Sequence, residues 1–534
     1  MPRRWIAPTT LGDLVDRRAA EHPADEALVF PDGRVTFAEL AERAQRYARR
    51  LLGLGVGRGD RVGTLLPASV DLVAVMIGAA KIGAVSVPVN ARFKAVELRQ
   101  IVVHSGMRVL ATDQASVPLV REATAEGAPE LHHVLVLDDP DSIAAADRSA
   151  GTDEEVGARQ PGVRVRDTAV VVYTSGTTAA PKGAMLSHEA LTRLADGIGE
   201  RMGLTPADRV WTAIPLFHGG GITFLLSCLA ARAAFVHPGY FDPATTLELL
   251  TTERVTVALA AFETIWMPVL NRPDFADLDL SAIRLVMAVG VPERLRDMAS
   301  RLPRAVHVSC VAMTESSAFL SLGRTDDPLD KRVTTGGHPM PGMEVRVVDP
   351  ETGADLPPDT EGELLFRGPT AFDGYFRDPE RTAEVIDADG WFHTGDLVVA
   401  DADGRLTFRS RLKDMLKVGG ENVAAAEVEG YLLGHPAVDL VAVVAAPDAH
   451  YVEVPAAFVQ LKPGATATEQ ELIEFCVGRI ATYRVPRYVR WVAPGEWPMS
   501  GTKIKKYLLR ERIADELKQR GVTEAPRVTT RPGS

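Results

Sequence analysis

Residues 170–183 read VVVYTSGTTAAPKG. A run of apolar, mostly β-branched residues stops at Tyr173, and hydroxyls, glycines, a proline and a lysine follow. AVVVY (169–173) is short, apolar and bounded by a turn signal, which predicts a buried strand of an α/β sheet. The loop after it is rich in donors. Thr174, Ser175, Thr177 and Thr178 bring hydroxyls, Gly176 and Gly183 free the backbone, and Lys182 brings a point charge. Donors clustered at a strand end suit an oxyanion such as phosphate; an ordinary polar turn is the alternative from composition alone. A Walker A loop would need a second glycine directly before the lysine and a serine or threonine after it. Pro181 and Gly183 stand there instead, which argues against a P-loop NTPase.

The strand recurs in a wider pattern. Residues 11–20 and 36–53 carry apolar residues at helical spacing, and ALVFPDGRVTF between them reads as a hairpin turning at Pro-Asp-Gly. From about 60 to 320, helical and strand-like segments alternate, as in a parallel sheet covered by helices. Residues 139–166 are rich in Asp, Ala, Gly and Ser and read as a surface connection. From about 340 to 410, MEVRVVD, GELLFRG and GRLTFRS read as short strands of a β-rich subdomain. A smaller unit with both helices and strands follows. The division expected is 1–410 and 411–534. The tail 524–534 has little apolar content and is expected to be mobile.

Composition narrows the function classes. The chain has 534 residues and a formal charge of −12, which favours a soluble protein and argues against nonspecific nucleic-acid binding. Cys228, Cys310 and Cys476 lie far apart, so neither a disulfide framework nor a zinc site is expected, and a reducing cytoplasm is the natural reading. The longest apolar runs, near 72–87 and 222–236, are interrupted by Lys81 and Arg232 and are too short to span a bilayer, so no integral membrane segment is expected. Nor does the start, MPRRWIAPTT, read as a signal peptide.

Five further segments carry chemistry-bearing residues: PLFHGGG (215–221), VAMTESS (311–317), WFHTGDLV (391–398), SRLKDMLKVGGENVAAAEVE (410–429) and PMSGTKIKKYLLR (498–510). Alone, each has a bland reading: His218 as a packed histidine, Glu315 as a solvated charge, Asp396 as a turn residue, Lys503 as one of many surface lysines. Together and in order with the loop at 174–183, they resemble the adenylate-forming superfamily of acyl-CoA synthetases, firefly luciferase and peptide-synthetase adenylation domains. Fatty- and aryl-acid CoA ligases are the nearest members. The resemblance covers nearly the whole chain.

That resemblance implies an α/β fold: a large N-terminal domain of stacked αβ sheets plus a β-rich subdomain, with a small mobile α+β C-terminal domain. It implies an AMP-forming ligase using ATP, Mg²⁺ and CoA as co-substrate. The enzyme would adenylate a carboxylic acid, release pyrophosphate and pass the acyl group to the thiol. Thr174, Ser175, Gly176, Thr177, Thr178 and Lys182 would cradle phosphate, with Thr314 on the nucleotide phosphate and Glu315 on the metal. Asp396 and Arg411 would hold the ribose. Lys503 would be the catalytic lysine, with Lys505 and Lys506 as alternatives if the register slips. Lys413 would be the hinge, and Gly419 and Gly420 would line the thiol tunnel. Phe217, His218, Phe262, Glu263 and Val289 would line the acyl pocket, His218 gating it.

Three departures stand out. Val311-Ala312 replaces the family's Tyr-Gly, AVGVPE (288–293) replaces a GGA segment, and Thr502 precedes Lys503 where glycine is usual. Other outcomes compatible with the same residues are transfer to an acyl carrier protein, adenylation of nitrite in a diazo-forming enzyme, and a non-catalytic nucleotide-binding homologue.

Overall fold

The computed structural model describes residues 9–174, 182–412, 415–418, 421–500 and 503–528. The chain gathers into two compact units. The first comprises Met1–Gly290, Leu295–Val345 and Phe366–Phe392; the second comprises Val291–Arg294, Arg346–Leu365 and His393–Ser534. Residues 346–365 and 393–410, which the sequence reading groups with the larger domain, gather with the second unit.

The first unit holds two mainly parallel sheets and a smaller antiparallel sheet of three strands. The six-stranded sheet runs His133–Val136, Val109–Thr112, Arg61–Leu65, Val85–Pro88, Thr168–Thr174, Lys182–Ser187. Only its last strand is antiparallel to its neighbour. The seven-stranded sheet runs Val306–Val308, Leu285–Val289, Val257–Phe262, Arg209–Trp211, Ala234–Val236, Glu26–Phe30, Gly33–Thr36. The last two strands form the expected antiparallel hairpin. Crossover helices cover parallel strands, so their strands read as continuous apolar runs rather than alternating ones.

The two longest apolar stretches are core elements. Helix Val70–Lys81 is buried at every residue except Asp71, and its terminal Lys81 is buried too, with its ammonium 2.8 Å from Asp16 Oδ1. Helix Gly219–Ala231 is likewise buried almost throughout, and ends at Arg232 in a left-handed conformation (φ +63), paired with Asp25 at 2.6 Å. Residues 139–166 are largely exposed, as expected of a surface connection, but they are helical rather than a run of turns. They hold helices Pro140–Ser149 and Asp153–Arg159, capped by Asp139 and by a Thr152–Glu155 capping box. The capping residues themselves gave the stretch its loop-like composition.

In the second unit, strand Val438–Asp448 pairs with Val452–Leu461, which also pairs with Tyr488–Trp491. Val441, Val443 and Ala445 face one apolar cluster with helices Ala425–Leu433 and Glu469–Cys476; Ala442, Val444 and Ala446 face another with helix Lys506–Gln519. Both faces of the strand are therefore buried, which explains its unbroken VAVVAA. The chain's end is partly anchored: Ala525 N–H donates to Asp448 (2.6 Å), and Arg487 donates to the Pro526 carbonyl (3.1 Å). Residues 524–528 thus correct the expectation of a mobile tail, while 529–534 lie outside the described residues. All three cysteines are buried.

Two buried histidines set an expectation for pH. His188 Nδ1 accepts from Leu11 N–H (3.2 Å), and His237 Nδ1 accepts from Gly239 N–H (3.0 Å). Both contacts need a bare ring nitrogen. Burial accordingly pushes both pKa values down from 6.5 to about 4. Between pH 6.5 and 4 the unfolded chain binds protons that the folded chain refuses, so stability falls as pH falls through that window. The expected loss is on the order of 3 kcal/mol per histidine by pH 4. Denaturant titrations at pH 7.5, 6 and 5 should show it; midpoints constant across that range would refute it.

Candidate functional site

The strand Thr168–Thr174 and its partner Lys182–Ser187 place Thr174 opposite Lys182. Residues 175–181, and with them Ser175, Gly176, Thr177 and Thr178, lie outside the described residues. What the strands fix is the foot of that loop. Gly183 sits beneath the Tyr173 ring, and a Cβ there would lie 2.8 Å from Val171 Cγ1 and 3.1 Å from Tyr173 Cζ. Gly183→Ala is therefore expected to cost roughly 1–3 kcal/mol by overpacking. A lowered denaturation midpoint checks this; an unchanged one counts against it.

Segment 372–376 adds itself to the edge of the same strand. Asp373 N–H donates to Met185 O, Met185 N–H to Gly374 O, and Phe376 N–H to Gly183 O, at 2.9, 3.0 and 2.7 Å. Tyr375 is thereby fixed beside Lys182, whose ammonium lies 5.0 Å from the centroid of the Tyr375 ring. The Tyr375 hydroxyl donates to Glu315 Oε1 at 2.7 Å. Glu315 is thus half-buried and held by a hydrogen bond, not a freely solvated charge. Burial lowers the pKa of Lys182, and Arg381 adds to that, while Glu315 opposes both.

Thr314 and Glu315 occupy a short 3-10 turn, Thr314–Ser316, between two antiparallel strands. Ser317 and Ala318 follow with φ of +60 and +120, a backbone shape that side-chain-bearing residues rarely adopt. Neighbours hold it there. The Ser317 hydroxyl donates to Thr370 O, Thr223 Oγ1 donates to Ser317 O, and Phe372 N–H donates to Glu315 O, each at 2.8 Å. Thr223 lies one turn into the helix that His218 caps. The segments carrying Lys182, His218, Thr314 and Glu315 are therefore linked within one unit.

The rings of Phe217 and His218 lie 4.6 Å apart, tilted by 49°, just before that helix. Phe262 and Val289 are in-register neighbours at the carboxyl ends of adjacent parallel strands, the edge where ligand crevices of such sheets lie. Ala261 beside them has φ +52, at a register shift in the strand. Glu263 opens the next helix and packs so closely over Gly290 that any Cβ there would collide with its carboxylate. Val311 is buried against Gly336 and Ala312 is exposed, so this pair offers no aromatic face.

In the second unit, Asp396 and Arg411 are paired in register across a hairpin, with Arg411 Nε 3.1 Å from Asp396 Oδ1. The Asp396 side chain is 7% exposed. Its turn is built by its own motif. Thr394 Oγ1 donates to Leu364 O (2.7 Å) and accepts from Asp396 N–H (2.9 Å); Gly395, at φ +65, donates to Glu363 (3.0 Å). Lys503 begins a two-residue strand opposite Ser500; its side chain lies outside what is described, as do Lys413, Gly419 and Gly420. Of the alternatives, Lys506 is tied to Glu429 at 2.7 Å, and Glu429 also accepts from Val443 N–H at 2.6 Å.

A family model described as AMP-binding enzyme matches residues 15–376, and one described as AMP-binding enzyme C-terminal domain matches residues 427–503. The chain belongs to the AMP-binding enzyme family. The adenylate-forming resemblance of its motifs and the mixed α/β architecture with a C-terminal domain both hold. This AMP-binding enzyme is 35% identical, over 94% of its length and 99% of the relative, to a methyl-dioxo-octahydro-indenyl-propanoyl:CoA ligase of Rhodococcus jostii. It is 32% identical to the mitochondrial medium-chain acyl-CoA ligase ACSF2 of Bos taurus, over 95% of its length and 88% of the relative. The anthranilate CoA ligase AuaEII, solved with anthranoyl-AMP, superposes with a TM-score of 0.88 at 28% identity, covering 96% and 99% of the two chains. Among the described residues, no helix is long and apolar enough to cross a membrane.

The residue that sequence reasoning missed in this AMP-binding enzyme is Tyr375. Its partner Glu315 is 60 positions away, and nothing local in DGYFRD signals the contact.

Proposed function

We propose that this AMP-binding enzyme is an ATP-dependent acid–thiol ligase acting on an organic acid with an apolar body, with CoA as the acceptor. The first step joins a carboxylate oxygen of the acid to the α-phosphorus of ATP and breaks the bond to pyrophosphate. In the second, the CoA sulfur bonds to the acyl carbon, AMP leaves with the electron pair, and the thiol proton passes to solvent. The observation that carries this reading is the linked group in the first unit: a cation, Lys182, and a carboxylate, Glu315, held on opposite parts of one tyrosine at the foot of a donor-rich loop.

Lys182 and Thr174 are proposed to bind phosphate oxygens, and Thr314 to position the nucleotide. The donor set fits Mg²⁺. Among the described residues no three metal-ligating side chains cluster, and Glu315 keeps Oε2 clear of hydrogen bonds. A single carboxylate suits a cation that completes its shell with phosphate oxygens and water. When bound, such an ion would neutralise charge on the phosphates. Asp396 is proposed to accept from both ribose hydroxyls, with Arg411 fixing its carboxylate. Lys503 is proposed to stabilise charge at the α-phosphate, with a pivot near Lys413 and a thiol passage along Gly419 and Gly420. Phe217, His218, Phe262, Glu263 and Val289 are proposed to face the acid. A cytoplasmic site of action is our reading of three buried, unbridged cysteines.

Steady-state pyrophosphate release with ATP and Mg²⁺ tests this across medium-chain fatty, aryl and bicyclic propanoic acids, with and without CoA. At least one class should give acid-dependent release and an acyl-CoA product by mass spectrometry. Release indifferent to CoA would refute CoA as the acceptor.

A further inference from the structure

We propose that Tyr375 is a positioning residue that keeps Glu315 and Lys182 in separate, fixed places, so that neither charge is consumed by the other. This rests on the reading of Glu315 and Lys182 as nucleotide-site groups. Tyr375 offers two different surfaces. Its hydroxyl donates to the Glu315 carboxylate at 2.7 Å, while its ring face lies under the Lys182 ammonium at 5.0 Å. A cation over a ring face and a carboxylate at the phenol edge are both favourable contacts. Each charge therefore has its own contact on the tyrosine, while Glu315 still attracts Lys182 through space.

Tyr375 itself is held rigidly. It is 4% exposed, forms an isolated bridge with Ala184, donates its N–H to Thr382 Oγ1 at 2.9 Å, and packs edge-on against Phe372 at 5.0 Å. Phe372 N–H in turn holds the Glu315 carbonyl. One short segment thus fixes both the main chain and the side chain of Glu315. A phenol is protonated at neutral pH, so the Tyr375 hydroxyl is the donor and the Glu315 carboxylate the acceptor. Without the hydroxyl, two opposite charges in a half-buried setting attract strongly. They would pair with each other and leave the phosphate and the metal without their ligands.

Tyr375→Phe removes one hydroxyl and keeps the ring. The expected result is a 10- to 30-fold fall in kcat for acid-dependent pyrophosphate release, with KM for the acid unchanged. In a Glu315→Ala background the same substitution should add less than twofold, because it acts through that carboxylate. Calorimetry supplies a readout apart from turnover. Tyr375→Phe should reduce the gain in ATP affinity that Mg²⁺ confers by about tenfold, and leave metal-free ATP affinity within twofold. Additive losses in the double variant, or a Tyr375→Phe enzyme within twofold of the wild type while Glu315→Ala is inactive, would overturn the proposal and leave the role of Glu315 standing. A fully active Glu315→Ala enzyme would overturn both.

Discussion

Lys503→Ala is expected to lower acid adenylation by about 10²- to 10³-fold, the range seen when one preorganised charge-stabilising group is removed. Thioester formation from supplied acyl-AMP and CoA should stay within a few-fold of the wild type. The split follows from the role proposed for Lys503, which is to offset charge as the carboxylate attacks the α-phosphorus, a bond change that belongs to the first half-reaction alone. Lys506→Ala makes the control. Lys506 is engaged with Glu429, which also caps the Val443 N–H, so its loss is expected to reduce stability rather than chemistry. Pyrophosphate release and acyl-AMP consumption, measured separately for both variants, decide the matter. Equal losses in both half-reactions, or a larger adenylation loss at Lys506, would contradict the assignment.

Asp396→Ala is expected to raise KM for ATP by roughly 10²-fold, since hydrogen bonds to a charged group contribute about 1.5–3 kcal/mol each. The wild type should prefer ATP to 2′-deoxy-ATP, and the variant should have lost that preference. Part of the effect runs through Arg411, which loses its in-register carboxylate partner. Asp396→Asn keeps the shape and two acceptor lone pairs but removes the charge, and should fall between the two. An Asp396→Ala enzyme that still discriminates against 2′-deoxy-ATP would place the ribose elsewhere.

The sequence made some of this architecture legible and hid the rest for identifiable reasons. Strands such as Thr168–Thr174 and the hairpin at 26–36 were readable because apolar runs and turn residues are local signals. The helices within 139–166 were not, because short capped helices carry the same Asp, Ser and Gly that mark loops. Lys81 looked like a break in an apolar run, yet it is buried against Asp16, a partner 65 positions distant. The motif residues Lys182, Glu315, Asp396 and Arg411 could be named from their order along the chain. Their geometry could not. The Asp396–Arg411 pairing depends on hairpin register, and the Glu315–Tyr375 bond depends on segment 372–376 adding to a sheet edge. Val311-Ala312 was visible as a departure; that Val311 is buried and Ala312 exposed was not.

The most direct test is a single-turnover experiment without the thiol. The enzyme is mixed with ATP, Mg²⁺ and the acid that gives the fastest pyrophosphate release, quenched, and analysed by mass spectrometry. CoA is then added to a parallel sample. The account predicts an acyl-AMP that accumulates to one equivalent per active site and converts to acyl-CoA and AMP once CoA arrives. ADP in place of pyrophosphate, or an acyl-AMP that persists unchanged in CoA, would contradict it.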